Sequence, residues 1–233
     1  MAIKVAYTTP ESGQLVTETL ETWEETRHVL PALRTVLHKA YSRELAEELR
    51  LVDQRNLDRH YSPHNWRAFY DFADATHDIH ERGARITLLR DSDDQVVGFS
   101  KVGPAPALTK SATNPKGYEY EGYYLNNIAV RPDDGRWGKG IGSMLMHANF
   151  FAQAYDHRLP LVLDAINGND RVNAWYRRLG MEPQPDVPTS VIEFDGVTIP
   201  ETYYVTPATV LLGGVVQHLE QNHPWLRTAE LIP

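Results

Sequence analysis

The sequence predicts a mixed α/β fold, a sheet with helices on its faces. Three observations predict it. Strand-like and helix-like stretches alternate between residues 122 and 180. A hairpin pattern precedes them over 85–102. A long amphipathic helical region fills most of the chain before residue 84. A strand–helix–strand–helix core beside hairpins implies such a sheet.

Residues 3–8 (IKVAYT) alternate loosely and predict a first strand. Over 21–57 the period becomes helical. Leu30, Leu33, Leu37 and Tyr41, then Leu45, Leu49 and Val52, share faces while charges fill the others, predicting one or two amphipathic helices. Residues 60–83, rich in aromatics and His, predict another helix, stopped at Gly83. RITLLR (85–90), DSDD (91–94) and QVVGFSKV (95–102) read as strand, turn and strand. A Pro-, Gly-, Ser- and Thr-rich loop follows over 103–117.

Residues 122–130 (GYYLNNIAV) predict the next strand, and 131–139 a charged turn. Over 140–155 Ile141, Leu145, Ala148 and Ala152 stack on one helical face. LVLDA (161–165) has the look of a buried strand. A helix over 169–179 is capped by Asn169 or Asp170 and stopped at Gly180. Residues 191–194 and 202–205 predict a last pair of strands, and 209–219 one more helix. Its apolar run 210–216 either caps the core or serves as a homodimer surface. The chain reads as a single domain, 1–233, made of a strand plus helical N-terminal part (1–84), a core (85–205) and a tail (206–233).

Composition removes several function classes. The absence of Cys excludes disulfides, cysteine metal sites and a catalytic thiol. With 23 basic and 31 acidic residues the net charge is -8, which argues against a nucleic-acid partner. The run VLLGGVV is far short of the about 20 apolar residues of a membrane span. The opening MAIKVAYTTPESG lacks a signal-peptide core. The expectation is a cytoplasmic protein with no membrane partner. His77 and His80, one helical turn apart beside Asp78 and Glu81, have no evident third ligand, so no metal site is expected.

The sharpest local signal is RWGKGIG, residues 136–142, between a strand and a helix. Glycines at alternate positions let backbone approach a ligand closely. A helix start adds free N–H groups and partial positive charge, a setting for phosphate or diphosphate. Arg131, Arg136 and Lys139 add positive charge. A Walker loop is excluded because Gly140, not Ser or Thr, follows Lys139. The dinucleotide fingerprint is excluded because Ser143 stands where its third glycine belongs.

IAVRPDDGRWGKGIGSML and, further on, NGNDRVNAWYRRLGM resemble, in order, two motifs of the GCN5-related N-acetyltransferase (GNAT) family. In that family a strand ending apolar-x-Val is followed by Pro, an acidic turn, and Arg/Gln-x-x-Gly-x-Gly/Ala opening a helix. An Asn-rich helix start and a Tyr, then Gly-Phe, come later. The resemblance spans roughly 85–205 and implies a GNAT-like acyl-CoA N-acyltransferase fold, with a mostly antiparallel central sheet. It implies acetyl-CoA as co-substrate. Backbone groups of Ile128, Ala129 and Val130 would bind the pantetheine arm. The loop Arg136, Trp137, Gly138, Lys139, Gly140, Ile141, Gly142 and Ser143 would bind the diphosphate. Asn169 and Tyr176 carry over from the second motif. Trp137 stands at the family's Arg/Gln position, with Arg136 one place earlier, and Met181 replaces the final Phe.

Acetyl transfer to an amine requires removal of a proton, stabilisation of the oxyanion and neutralisation of the leaving thiolate. An amide on the strand ending at Val130 would serve the oxyanion. Tyr176 is the acid candidate, since a phenol with pKa near 10 keeps its proton at neutral pH. Some family members carry a Glu base six residues before the final Val; here that position is Tyr124. Glu119 and Glu121 just upstream, or Asp164 on the next strand, are alternative bases. Tyr118, Tyr120, Tyr123 and Tyr124 either line an acceptor pocket or pack on the N-terminal helices. The expected function is transfer of acetyl from acetyl-CoA to a primary amine (small amine, amino acid or peptide N-terminus) by direct attack. The alternative is a non-catalytic acyl-CoA-binding or sensor module, which Tyr124 and Trp137 favour.

Overall fold

Val5, Ala6 and Tyr7 of the first strand, β1 (Lys4–Thr9), are all buried, so both of its faces are covered. β1 pairs antiparallel with β2 (Gly13–Leu20), a strand absent from the sequence expectation. Two of the inward positions of β2 are Thr17 and Thr19, both buried. The Thr17 hydroxyl accepts from the Val5 N–H at 3.0 Å and donates to the Val5 carbonyl at 3.2 Å. Thr19 and Thr87 share a hydroxyl hydrogen bond of 3.2 Å. Satisfied hydroxyls are buried at little cost. Burial therefore alternates along β2 while hydrophobicity does not.

The computed structural model describes residues 4–9, 13–62, 64–108, 121–133, 138–152, 158–184, 191–194, 196–224 and 230–232. The helical region after β2 is more broken than the one or two helices expected. Thr22 and Glu25 form a capping box on α1 (Trp23–Arg27). Pro31, in the first turn, opens α2 (Leu30–Tyr41). The backbone then widens into a π-helical segment, Ser42–Glu48, in which the Leu49 N–H reaches back five residues to the Glu44 carbonyl at 2.9 Å. The Asp53 side chain starts α3 (Gln54–Tyr61) and Asn65 starts α4 (Trp66–Glu81).

Then come β3 (Arg85–Arg90), β4 (Val96–Pro104), a short α5 (Ala105–Leu108) and β5 (Tyr123–Val130). α6 (Ile141–Ala152), β6 (Pro160–Ile166) and α7 (Asp170–Arg178) follow. β7 (Glu182–Pro183), β8 (Val191–Phe194), β9 (Val197–Pro207), α8 (Ala208–Asn222) and β10 (Glu230–Ile232) complete the chain. The sheet runs β10-β1-β2-β3-β4-β5-β6-β9-β7, with β8 paired to β9. Among the described residues every pair is antiparallel except β5 and β6. The mixed, mostly antiparallel sheet flanked by helices is therefore as the sequence predicts.

One face carries α6 and α8, whose Met144, Leu145, Leu211 and Val215 pack with Leu89, Val97, Leu125 and Leu163. The other carries α2 and α4, whose Leu33, Leu37 and Phe72 pack with Leu88, Phe99 and Ala129. Leu211 and Val215 of the apolar run 210–216 thus cover core, while Val210 is half exposed. α8 lies so close to the end of α7 that a Cβ on Gly214 would stand 2.3 Å from the Leu179 carbonyl oxygen. Gly214→Ala gains about 1 kcal/mol of helix propensity, but it must push the helix off its seat. We expect a net loss of about 1–3 kcal/mol, read by urea unfolding. Among the described residues no helix is long and apolar enough to cross a membrane.

Candidate active site

β5 and β6 are paired through three positions only: Tyr123 with Leu161, Tyr124 with Val162, and Leu125 with Leu163. Both strands run on, β5 to Val130 and β6 to Ile166, and the described residues show no further pair between them. Each is held from its other side. β4 pairs with β5 as far as Val130, and β9 pairs with β6 as far as Ile166. The β4–β5 register shifts between Lys101 and Val102, which leaves Asn126 as the extra residue of a bulge. A bulge bends its strand and increases the twist, and this one lies where β5 leaves β6. The opening is a cleft of about 570 Å³, lined by residues 125–130 and 164–166 on its two strand edges.

The glycine turn forms the next wall. Gly138 and Gly140 have φ of +78° and +79°, a backbone that side-chain-bearing residues rarely adopt. The first intrahelical bond of α6 runs from the Met144 N–H to the Gly140 carbonyl at 2.8 Å. The amides of residues 140–143 precede it and have no acceptor within the helix. Gly138 and residues 140–143 all line the cleft. The Ser143 hydroxyl accepts from the Trp175 indole at 3.2 Å, tying α6 to α7.

Three carboxylates also line the cleft: Glu44 from the π-helical segment, Asp164 from β6 and Glu201 from β9. Asp164 faces Tyr203 across the ladder and Ile166 faces Glu201, so Asp164 and Glu201 are diagonal neighbours on one sheet face. The Tyr124 hydroxyl donates to Asp164 Oδ2 at 2.6 Å, while Oδ1 is buried with no hydrogen-bond partner among the described residues. Burial pushes the Asp164 carboxyl up to about 6, against the opposing effect of the Tyr124 bond. Burial also raises Glu44, offset by Arg171 and by the Asn169 amide, which donates to Glu44 Oε1.

Tyr176 lines the cleft at 4% exposure, its ring 4.8 Å from that of Trp175 and 5.9 Å from that of Tyr204. Burial raises its phenol above the ordinary value. Ile128, Ala129 and Val130 line the cleft through β5. Other residues singled out in the sequence stand elsewhere. Asn169 lies behind the wall, capping α7 through the Val172 N–H at 3.2 Å and holding Glu44. Tyr124 is buried as the donor to Asp164, not as a base facing the cleft. Glu121 and Lys139 are exposed and outside the lining. Arg136 and Trp137 lie outside the described residues, as do Tyr118, Glu119 and Tyr120. His80 is occupied by Thr26, at 2.7 Å, and His77 packs on Trp23. Among the described residues no group of three or more His, Asp or Glu could hold a metal.

Sequence reasoning missed Tyr41, Glu44, Arg178, Glu201, His218 and His223, all of which line the cleft. None lies within the motifs around the glycine turn and α7, apart from Arg178 at the end of α7.

Residues 36–181, more than half the chain, match the Acetyltransferase (GNAT) family. None of the curated proteins compared matches the chain. Among solved structures, a protein of Corynebacterium glutamicum described as histone acetyltransferase HPA2 and related acetyltransferase is 21% identical. It superposes with a TM-score of 0.52 over 89% of this chain and 97% of its own. Mycobacterium smegmatis RimJ in complex with CoA-disulfide is 14% identical, with a TM-score of 0.56 over 94% of this chain and 93% of its own. A variant of the Vibrio cholerae spermidine N-acetyltransferase SpeG is 14% identical, with a TM-score of 0.51 over 85% and 96%. At these identities the likeness is one of fold. The match over residues 36–181 is one of sequence, and by it the chain belongs to the Acetyltransferase (GNAT) family.

Proposed function

We propose that the protein transfers an acetyl group from acetyl-CoA to a primary amine by direct attack. The observation that carries this is the parting of β5 from β6 beside the glycine turn, with a buried, singly bonded carboxylate in the same cleft. Both walls suit the cofactor. Over residues 126–129 the described residues show no pairing of β5 with β6, so backbone groups on that side can meet the amide groups of a pantetheine arm. The left-handed glycines bring the first amides of α6 into the open, where a diphosphate gains both hydrogen bonds and the helix dipole. Acetyl-CoA, when bound, supplies the acetyl group activated as a thioester.

The chain's own residues divide the remaining work. Glu44, Asp164 and Glu201 favour a cationic acceptor. Asp164 Oδ1 takes the amine proton, while Tyr124 fixes the other oxygen and so aims the carboxylate. Tyr176 offers its phenolic proton to the departing sulfur. With no Cys in the chain, no enzyme thiol intervenes.

Thiol release from acetyl-CoA, measured against a panel of monoamines, diamines, amino acids and short peptides, tests the proposal. Turnover is expected with cationic primary amines and absent with their N-acetylated forms. Binding of CoA without transfer to any of them would identify a non-catalytic binding module and overturn the enzyme assignment.

A further inference from the structure

The end of the cleft beside the glycine turn is built partly by chain beyond the family match, which stops at residue 181. His218 and Asn222 of α8, His223 at its C-cap, and Arg178 at the end of α7 all line it. The His223 ring fills the space above Gly140. A Cβ there would stand 2.6 Å from its Cδ2 and 2.8 Å from its Nε2. The rings of His223 and His218 lie 6.0 Å apart at 69°, edge to face. The His223 N–H bonds to the Leu219 carbonyl at 2.7 Å, so the imidazole is carried on a fixed backbone. The close seating of Gly214 on Leu179 fixes α8 in turn.

Positive groups gather here in a chain of net charge -8. Arg178 lies within electrostatic range of His218, and Lys139 within range of His223. Burial comes first in lowering both imidazoles, and these neighbouring charges add to it. The Asn222 side chain meets His218 Nδ1 at 3.2 Å, which leaves Nε2 of that ring to donate to an anion beside the Arg178 charge.

We infer that α8 completes a phosphate pocket, in which His218, His223 and Arg178 hold a phosphate of the cofactor against the amides of residues 140–143. This rests on the acetyl-CoA reading above. The ligand chemistry is a phosphate ester, from either the diphosphate or the ribose 3′-phosphate of CoA.

Calorimetric titration of CoA, 3′-dephospho-CoA and phosphate-free pantetheine into wild type, His218→Ala, His223→Phe and the double variant tests it. Phe keeps a ring above Gly140 and removes only the polar nitrogens; melting temperatures check that each variant is folded. CoA affinity is expected to fall about tenfold in each single variant and about a hundredfold in the double. Pantetheine affinity is expected to stay at the wild-type value. A loss for CoA that disappears with 3′-dephospho-CoA assigns the ribose phosphate, and an equal loss for both assigns the diphosphate. Wild-type CoA affinity in the folded variants, or a loss for pantetheine as large as for CoA, would overturn the inference. Failure of the wild type itself to bind CoA would instead remove the acetyl-CoA reading on which it stands.

Discussion

Asp164→Asn is expected to lower kcat/KM for the amine by about 10²–10⁴-fold and to raise stability at neutral pH. The two effects share one cause. The carboxyl is held up at about 6 in the fold, chiefly by burial, against about 3.9 in an unfolded chain. Between those values the folded protein binds the proton more tightly than the unfolded chain does. The stabilising contribution of the protonated carboxyl is full below about pH 4 and is lost as pH rises through 6. At pH 7.5 the ionised group therefore destabilises the fold, by something of the order of 2 kcal/mol. Asn removes that charge and still offers an oxygen to the Tyr124 hydroxyl. The variant should melt several degrees above wild type at pH 7.5 and close to it at pH 4. The acid limb of the wild-type kcat/KM profile should reflect a pKa near 6 and be missing from the variant. Unchanged activity with unchanged melting would remove Asp164 from the chemistry.

Tyr176→Phe is expected to cut turnover by about tenfold or more while leaving CoA affinity nearly unaltered. The substitution keeps the ring and its packing on Trp175 and Tyr204 and deletes only the hydroxyl. Because burial raises the phenol above its ordinary value, it keeps its proton throughout the neutral range. It is therefore a donor over the whole range in which Asp164 titrates. A pre-steady-state measurement separates the steps. Slowed transfer with unchanged CoA binding fits the acid role, whereas weakened binding with an unchanged rate would make Tyr176 a wall of the cleft only.

The parts of the site that were legible in the sequence are those written in short, contiguous patterns. Gly-Lys-Gly-Ile-Gly marks a turn that needs left-handed backbone, and Gly138 and Gly140 adopt it. Asn169 and Gly180 bracket α7 as their cap chemistry dictates. What was not legible depends on register between distant segments. The parting of β5 from β6 follows from pairing that stops at Leu125 and Leu163 and from a bulge at Asn126, and no local periodicity encodes either. Glu44 reaches the cleft because a π-helical segment shifts the helix face, a change that heptad-like spacing of Leu residues conceals. Glu201 arrives through a cross-strand register with Ile166. Tyr124 was read in sequence as standing in the base position. The structure pairs it instead with the carboxylate two residues along the neighbouring strand from its own partner Val162. β2 escaped notice because its inward Thr17 and Thr19 are polar, yet satisfied.

Amide hydrogen exchange with and without CoA reads directly the main-chain contacts on which the whole account depends. Slowed exchange is predicted at two places together: residues 126–129 on the cleft-side edge of β5, and residues 138–143 in the glycine turn and first turn of α6. Protection confined to other segments, with both of these unchanged under saturating CoA, would contradict it.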